Sequence, residues 1–246
     1  MDDTRQAPVT PPYACSAEWP CGALDPAFCA PTVAQRAAVH EQVEIMAMLR
    51  FSFGTMGSGK STLALQIHHN LSARGLCGVL CSQLDRAGGR VSSALGVSAE
   101  AIEVDPDMDL YWMATEERDR YGRLDYLVCD EAQFYRPNQI DQLARVVDEM
   151  HADVYAFGLL TSFQGQLFEG TQRLLELADE NREVQVEARC WSGRRATHNA
   201  RLVDGTQVFD GDLVVVDDPD NHQVTYELRC RGHWFCLLYT SPSPRD

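Results

Sequence analysis

The chain has 246 residues, 45% of them hydrophobic, which suffices for one α/β core, or such a core with a small appended module. Its 36 acidic and 21 basic residues give a formal net charge of −15, so it lacks the electrostatic footprint of a protein that grips DNA or RNA. No run approaches the length of a membrane-spanning helix, and the Met1-Asp2-Asp3 start has neither the positive nor the apolar region of a secretory signal, so a cytoplasmic location is expected.

Residues 1–45 stand apart. Pro8, Pro11, Pro12, Pro20, Pro26 and Pro31 crowd the opening, and Cys15, Cys21 and Cys29 are spaced too widely for a zinc knuckle. This stretch is expected to be a disordered or non-native leader, with Met46 or Met48 as a candidate start. The nine cysteines are odd in number and scattered, which in a reducing compartment points to free thiols or a metal site.

From Leu49 the sequence alternates as a βα protein should. Leu49–Phe53 reads as a short apolar strand and 54–59 as a Gly-rich turn. A helix follows over Ser61–Arg74, with Leu63, Ile67 and Leu71 on one face and Gly75 as its stop. Leu76–Cys81 and Leu124–Cys129 read as strands, the second a continuous apolar run suited to a buried parallel position. Gln139–Met150 reads as a helix with Ile140, Leu143, Val147 and Met150 on one face, Asp153–Leu159 as a strand and Gln172–Ala178 as a helix. The expected core, 46–183, is therefore a parallel sheet flanked by helices. After about residue 184 the pattern becomes short strands without helices: Gln185–Cys190, Thr206–Phe209, Asp212–Val216 and Val224–Cys230. A second module over 184–235, about 50 residues, is small enough to need a staple such as a metal. The last stretch, 236–246, has no periodicity and resembles translated vector sequence, so it is expected to be non-native.

Gly54, Thr55, Met56, Gly57, Ser58, Gly59, Lys60 and Ser61 fit G-x-x-x-x-G-K-[ST] in full, between a strand and a helix. The glycines let backbone N–H groups turn inward around phosphate oxygens. Lys60 carries positive charge to the β and γ phosphates, Ser61 offers a hydroxyl to Mg²⁺, and the helix N-terminus adds its dipole. The loop alone implies binding of a nucleoside triphosphate, with kinase, ATPase and motor all open. Asp130-Glu131-Ala132-Gln133-Phe134 follows an apolar strand. In a P-loop fold a strand-end aspartate holds the Mg²⁺ shell, and an adjacent glutamate can take the proton of an attacking hydroxyl or water. Asp-Glu-Ala also resembles the corresponding acidic motif of helicases and ATPases, so the acceptor stays open at this point.

Taken in order, Gly54–Ser61, Asp130–Phe134, Gly158-Leu-Leu-Thr-Ser-Phe163 and the cysteine-bearing end resemble the type II (zinc-containing, cytosolic-type) thymidine kinases from about Leu49 to His233. The resemblance implies a P-loop, RecA-like core with a small zinc-ribbon-like lasso module, and MgATP and thymidine as substrates. It implies Glu131 as general base for the 5′-hydroxyl, Ser61 and Asp130 toward Mg²⁺, and Phe134, Phe163, Asn199 and Tyr226 in the nucleoside pocket. Asp85 and Arg86 fall in a segment that orders metal and phosphates in that family. Cys190, Cys230 and His233 correspond to structural zinc ligands, while Ser192 stands where a second cysteine is expected. Serine is a poor zinc ligand near neutral pH because its hydroxyl stays protonated. Ser162 replaces a commonly seen aspartate, and Ala94 stands where a basic residue is common. The family also implies a homotetramer; from the acidic charge and the lack of a membrane-spanning run, no nucleic-acid or membrane partner is expected. Two other readings carry different expectations: a RecA- or helicase-type ATPase in which Glu131 activates water, and a weakened nucleotide-binding pseudo-kinase.

Overall fold

The computed structural model describes residues 46–83, 90–92, 96–184, 187–213 and 223–236. The core is built from β1 (Leu49–Phe53), α1 (Lys60–Ala73), β2 (Gly78–Ser82), β3 (Arg90–Ser92), β4 (Ser98–Glu100) and β5 (Ile102–Glu103). It continues through α2 (Leu110–Tyr121), β6 (Tyr126–Asp130), a 3₁₀ turn (Ala132–Phe134), α3 (Pro137–Met150), β7 (Asp153–Gly158), α4 (Glu169–Leu177) and β8 (Glu180–Glu183). Then come β9 (His198–Val203), β10 (Thr206–Val208), β11 (Val224–Arg229) and α5 (Arg231–Phe235).

Six strands form one sheet in the order β5-β2-β6-β7-β1-β8, and every pairing in it is parallel. Parallel sheets need cover on both faces, and the sequence alternates accordingly. Phe51, Cys81, Leu127, Cys129, Val154 and Ala156 point to one face, where they pack with Leu110 and Met113 of α2, Ile140, Leu143, Val146 and Val147 of α3, and Leu174 of α4. Leu80, Tyr126, Val128 and Phe157 point to the other and meet Ala64 and Leu65 of α1. The expected α1 face of Leu63, Ile67 and Leu71 is only partly buried at the margin of that cluster. The edge strand β8 reads Glu-Asn-Arg-Glu and is exposed throughout, which blunts edge-to-edge pairing.

The expected elements shift by a few residues: the second strand begins at Gly78 and β6 at Tyr126. The expected strand Gln185–Cys190 is absent from the described residues 187–190. Arg189 makes only an isolated antiparallel bridge with Arg195, and the Cys190 and Gly193 amides bond to Arg194 O and Cys190 O at 2.8 Å each. The backbone there closes on itself in a tight turn, with Gly193 at φ 78°, so it cannot extend a ladder. Beyond this turn, β10-β9-β11 form a separate antiparallel sheet, followed by the short helix α5, which the strand-only pattern did not include. Most of the expected strand Asp212–Val216, together with Cys15, Cys21, Cys29, Asp85, Arg86 and Ala94, lies outside the described residues. Among the described residues no helix is long and apolar enough to cross a membrane.

Candidate active site

The sheet brings the chemistry to the carboxyl ends of its strands. Gly54 follows β1, Asp130 ends β6, and Gly158 ends β7 between them. The Gly54 amide donates to Gly158 O at 3.2 Å, tying the two neighbouring ends together. A Cβ on Gly54 would lie 2.2 Å from Val184 O and 2.5 Å from Ser58 Oγ, so only glycine fits where the loop leaves the sheet. Gly59, at φ 86°, caps α1 in the left-handed region and turns the chain into the helix.

Lys60 is buried, and its ammonium donates to Thr55 O at 2.8 Å and Gly54 O at 3.4 Å. Burial lowers its pKa, while Glu131 and then Asp130 oppose that shift through their negative charge. Asp130 is buried as well. Burial, with the neighbouring Glu131 charge, pushes its carboxyl up to about 6, against a hydrogen bond from Ser61, a backbone hydrogen bond at Glu131 and the charge of Lys60. Thr55 Oγ1, Ser58 Oγ and Asp130 Oδ1 are buried with no hydrogen-bond partner among the described residues. Unsatisfied oxygens clustered around a P-loop are what a site built for a hydrated cation and phosphates presents. The donor set fits Mg²⁺, a hard cation that takes oxygen ligands.

Glu131 is a non-glycine residue at φ 55°, ψ 31°, opening the 3₁₀ turn. Such a conformation costs of order 1 kcal/mol or more and is kept where surrounding packing imposes it. Its Oε2 accepts from Gln133 Nε2 at 2.6 Å. Phe134, partly buried, meets Phe168 edge-on at 5.5 Å.

The small sheet delivers the remaining candidates. Asn199 and Arg201, two apart on β9, share a face. Buried Asn199 accepts from the Met56 amide at 2.9 Å, which places it against the phosphate loop. The Arg201 guanidinium lies 3.7 Å over the Phe163 ring, and its Nε donates to Tyr226 Oη at 2.9 Å. Phe163 and Tyr226 are thus joined through a buried arginine. The segment after β7 is further held by Trp234, whose Nε1 donates to Phe163 O at 3.2 Å. A Cβ on Gly165 would sit 2.4 Å from the same indole. Ser162 is buried and accepts from the Gln164 amide at 3.2 Å, a local bond within the turn.

Cys190, Cys230 and His233 bring one ligand atom each within 4.8 Å of one another. His233 Nδ1 lies 3.2 Å from Cys190 Sγ and 3.4 Å from Cys230 Sγ. A zinc tetrahedron with bonds of about 2.0 and 2.3 Å places N and S ligands about 3.6 Å apart, so the three donors fit such a site. Burial raises the Cys190 pKa, but hydrogen bonds from Ser192, from the Cys230 backbone and from His233 bring it down to about 6. Ser192 therefore stands beside the cluster as a hydroxyl, and Trp191 stacks on the His233 ring at 4.1 Å.

Gln133, Arg201 and Trp234 were not singled out by the sequence. Arg201 lies two residues from Asn199 and Trp234 beside His233, but nothing local marks a buried cation between two rings. Gln133 lies inside a quoted motif, yet its role depends on a contact with Leu159 that only the fold creates.

A parallel sheet with a Gly-rich phosphate loop between its first strand and first helix, and an acidic strand end beside it, defines a P-loop NTPase-type fold. Within that class, residues 47–234 match the family model described as thymidine kinase. The chain is 55% identical over 191 residues to a thymidine kinase of Streptomyces avermitilis, covering 76% of this chain and 88% of that one. A thymidine kinase of Streptomyces coelicolor is 54% identical over 193 residues and one of Cutibacterium acnes 53% over 190, with the same coverages. The chain belongs to the thymidine kinase family.

Proposed function

We propose that this protein transfers the γ-phosphate of MgATP to the 5′-hydroxyl of thymidine, giving thymidine monophosphate and ADP. The observation that carries the reading is the placement of Glu131 beside Asp130, Lys60 and the phosphate loop, on a turn that also carries Phe134. Phosphoryl transfer needs positioning and charge stabilisation more than covalent chemistry. The loop amides and Lys60 bind and orient the phosphates. Ser61 and Asp130 would hold Mg²⁺, which would supply charge that offsets the negative charge of the phosphates. Glu131 accepts the proton of the 5′-hydroxyl as it attacks. Phe134, Phe163 and Tyr226 offer aromatic faces and edges to the nucleoside, and the β9–β11 sheet, within the 184–235 module, closes over it. Asp85 and Arg86 belong to the same proposal as phosphate-side groups. Zinc held by Cys190, Cys230 and His233 would fix that module. A homotetramer and a cytoplasmic location complete the reading.

The test is Glu131→Gln. It keeps the shape and removes the base. Turnover should fall by about 10²- to 10⁴-fold while ATP affinity stays within about twofold. Wild-type turnover in that variant contradicts the assignment. An ATPase reading, with Glu131 directed at water, is separated by whether ADP release requires the nucleoside.

A further inference from the structure

The turn that carries Glu131 is clamped on two sides. On one, a Cβ on Gly158 would lie 2.9 Å from Gln133 Oε1 and 3.1 Å from Gln133 N. On the other, a Cβ on Gly170 would lie 2.5 Å from Tyr135 O, 2.7 Å from Ala132 O and 2.9 Å from Gln133 O. The 3₁₀ turn is pressed between the end of β7 and the start of α4, with no room for a side chain at either contact. Gln133 itself is 2% exposed. Its carboxamide is used at both ends: Oε1 accepts from the Leu159 amide at 3.0 Å, and Nε2 donates to Glu131 Oε2 at 2.6 Å. Leu159 is fixed in turn, since its carbonyl accepts from Thr171 Oγ1 at 2.7 Å.

The polarity of this chain is set by chemistry. A backbone amide only donates and a carboxylate only accepts, so a carboxamide between them has one workable orientation. Flipping it would set Nε2 against the Leu159 N–H and Oε1 against the Glu131 carboxylate, losing both bonds while the carboxamide itself is buried. Gln133 must therefore present N–H to Glu131. That bond engages Oε2 of a side chain whose backbone is already in the left-handed region, and leaves the other carboxylate oxygen, Oε1, to meet a hydroxyl.

We infer that Gln133 is a positioning residue for the phosphoryl transfer: it locks Glu131 with Oε1 toward the acceptor and ties that orientation, through Leu159, to the segment 158–163 that carries Phe163. The inference rests on the reading of Glu131 as the base. It makes the base and the nucleoside-side ring parts of one rigid unit, so misplacement of Glu131 slows the chemical step without loosening substrates.

The experiment is a kinetic cycle on the full chain with Gln133→Met, Gln133→Glu, Glu131→Gln and the Glu131→Gln/Gln133→Met double variant. Gln133→Met keeps the length and removes both hydrogen bonds. Gln133→Glu can still accept from Leu159 but offers no amide donor to Glu131. Both should lower kcat by about 10- to 100-fold, the loss of a hydrogen bond to a charged group. KM for thymidine and affinity for ATP should stay within about twofold, and Gln133→Met should cost little further turnover in the Glu131→Gln background. Wild-type kcat in Gln133→Met alongside an inactive Glu131→Gln overturns the positioning role and leaves the base assignment standing. Full turnover in Glu131→Gln overturns the base assignment itself. Loss of ATP affinity in both Gln133 variants, or equal cost of Gln133→Met in both backgrounds, makes Gln133 a structural residue and also overturns the inference.

Discussion

At the phosphate end, Lys60, Ser58, Thr55 and Asp130 are buried in a rigid frame of parallel strand ends, and every residue type the P-loop pattern requires is in place. At the Cys/His end, three donors converge from the 190–193 turn and from Cys230 and α5, and the position beside them is a serine. The first region gets its geometry from a parallel sheet whose Phe51, Cys129, Val154 and Ala156 bury against helices in the main core. The second is a three-stranded sheet with a short helix, and a unit of that size gets much of its order from cross-links. The contrast teaches that the two halves of the site should respond to different perturbations. Protons and loop contacts should act at the phosphate end, and metal at the other.

Of the changes that set the two ends apart, the largest effect is expected from Ser192→Cys. A fourth thiolate completes the tetrahedron and should raise zinc affinity by about 100-fold, with a higher Tm that a chelator reverses. Elemental analysis and a chelator competition check this. If the parent chain already holds one zinc through the same competition, the two ends are equally well built and the contrast fails.

A smaller effect follows from Asp130. Burial, then the Glu131 charge, lifts its carboxyl to about 6. Since this folded value lies above the ordinary carboxylate range, the group favours the metal-free fold at low pH, and that contribution is lost as pH rises through about 6. A cation needs the ionised form. Affinity for Mg-nucleotide should thus fall about tenfold per pH unit below that value, measurable by calorimetric titration. A flat profile would mean that Asp130 does not face the metal.

The smallest effect is expected from Asn199→Ala. Removing the acceptor of the Met56 amide should weaken ATP binding by about fivefold, as the net worth of one hydrogen bond, and leave KM for thymidine unchanged. A rise in thymidine KM alone would instead assign Asn199 to the nucleoside pocket.

Much of the core was legible because its signals are local. The Gly54–Ser61 pattern, the apolar run ending at Asp130 and the α3 stripe of Ile140, Leu143 and Val147 each declare themselves within a dozen residues. The helix α2 was not seen, because Glu117 sits within its buried stripe beside Leu110, Met113 and Ala114, while the large apolar Trp112 and Tyr121 lie exposed, so the apolar period is blurred. Its Asp109 cap, which accepts from the Trp112 amide, and its left-handed Gly122 stop were the available clues. The strand β9 was missed because Asn199 and Arg201, polar residues on its buried face, hide the alternation. Contacts that join distant segments, such as Met56 with Asn199, Phe163 with Arg201 and Leu159 with Gln133, leave no periodic trace at all.

In the proposed reaction the phosphoryl group goes to a nucleoside and not to water. The direct measurement is ADP release from MgATP by the purified chain, with and without thymidine, and thymidine monophosphate quantified in the same samples. ADP release should saturate with thymidine and match the monophosphate formed one for one. ADP release that is equal with no nucleoside present would contradict it.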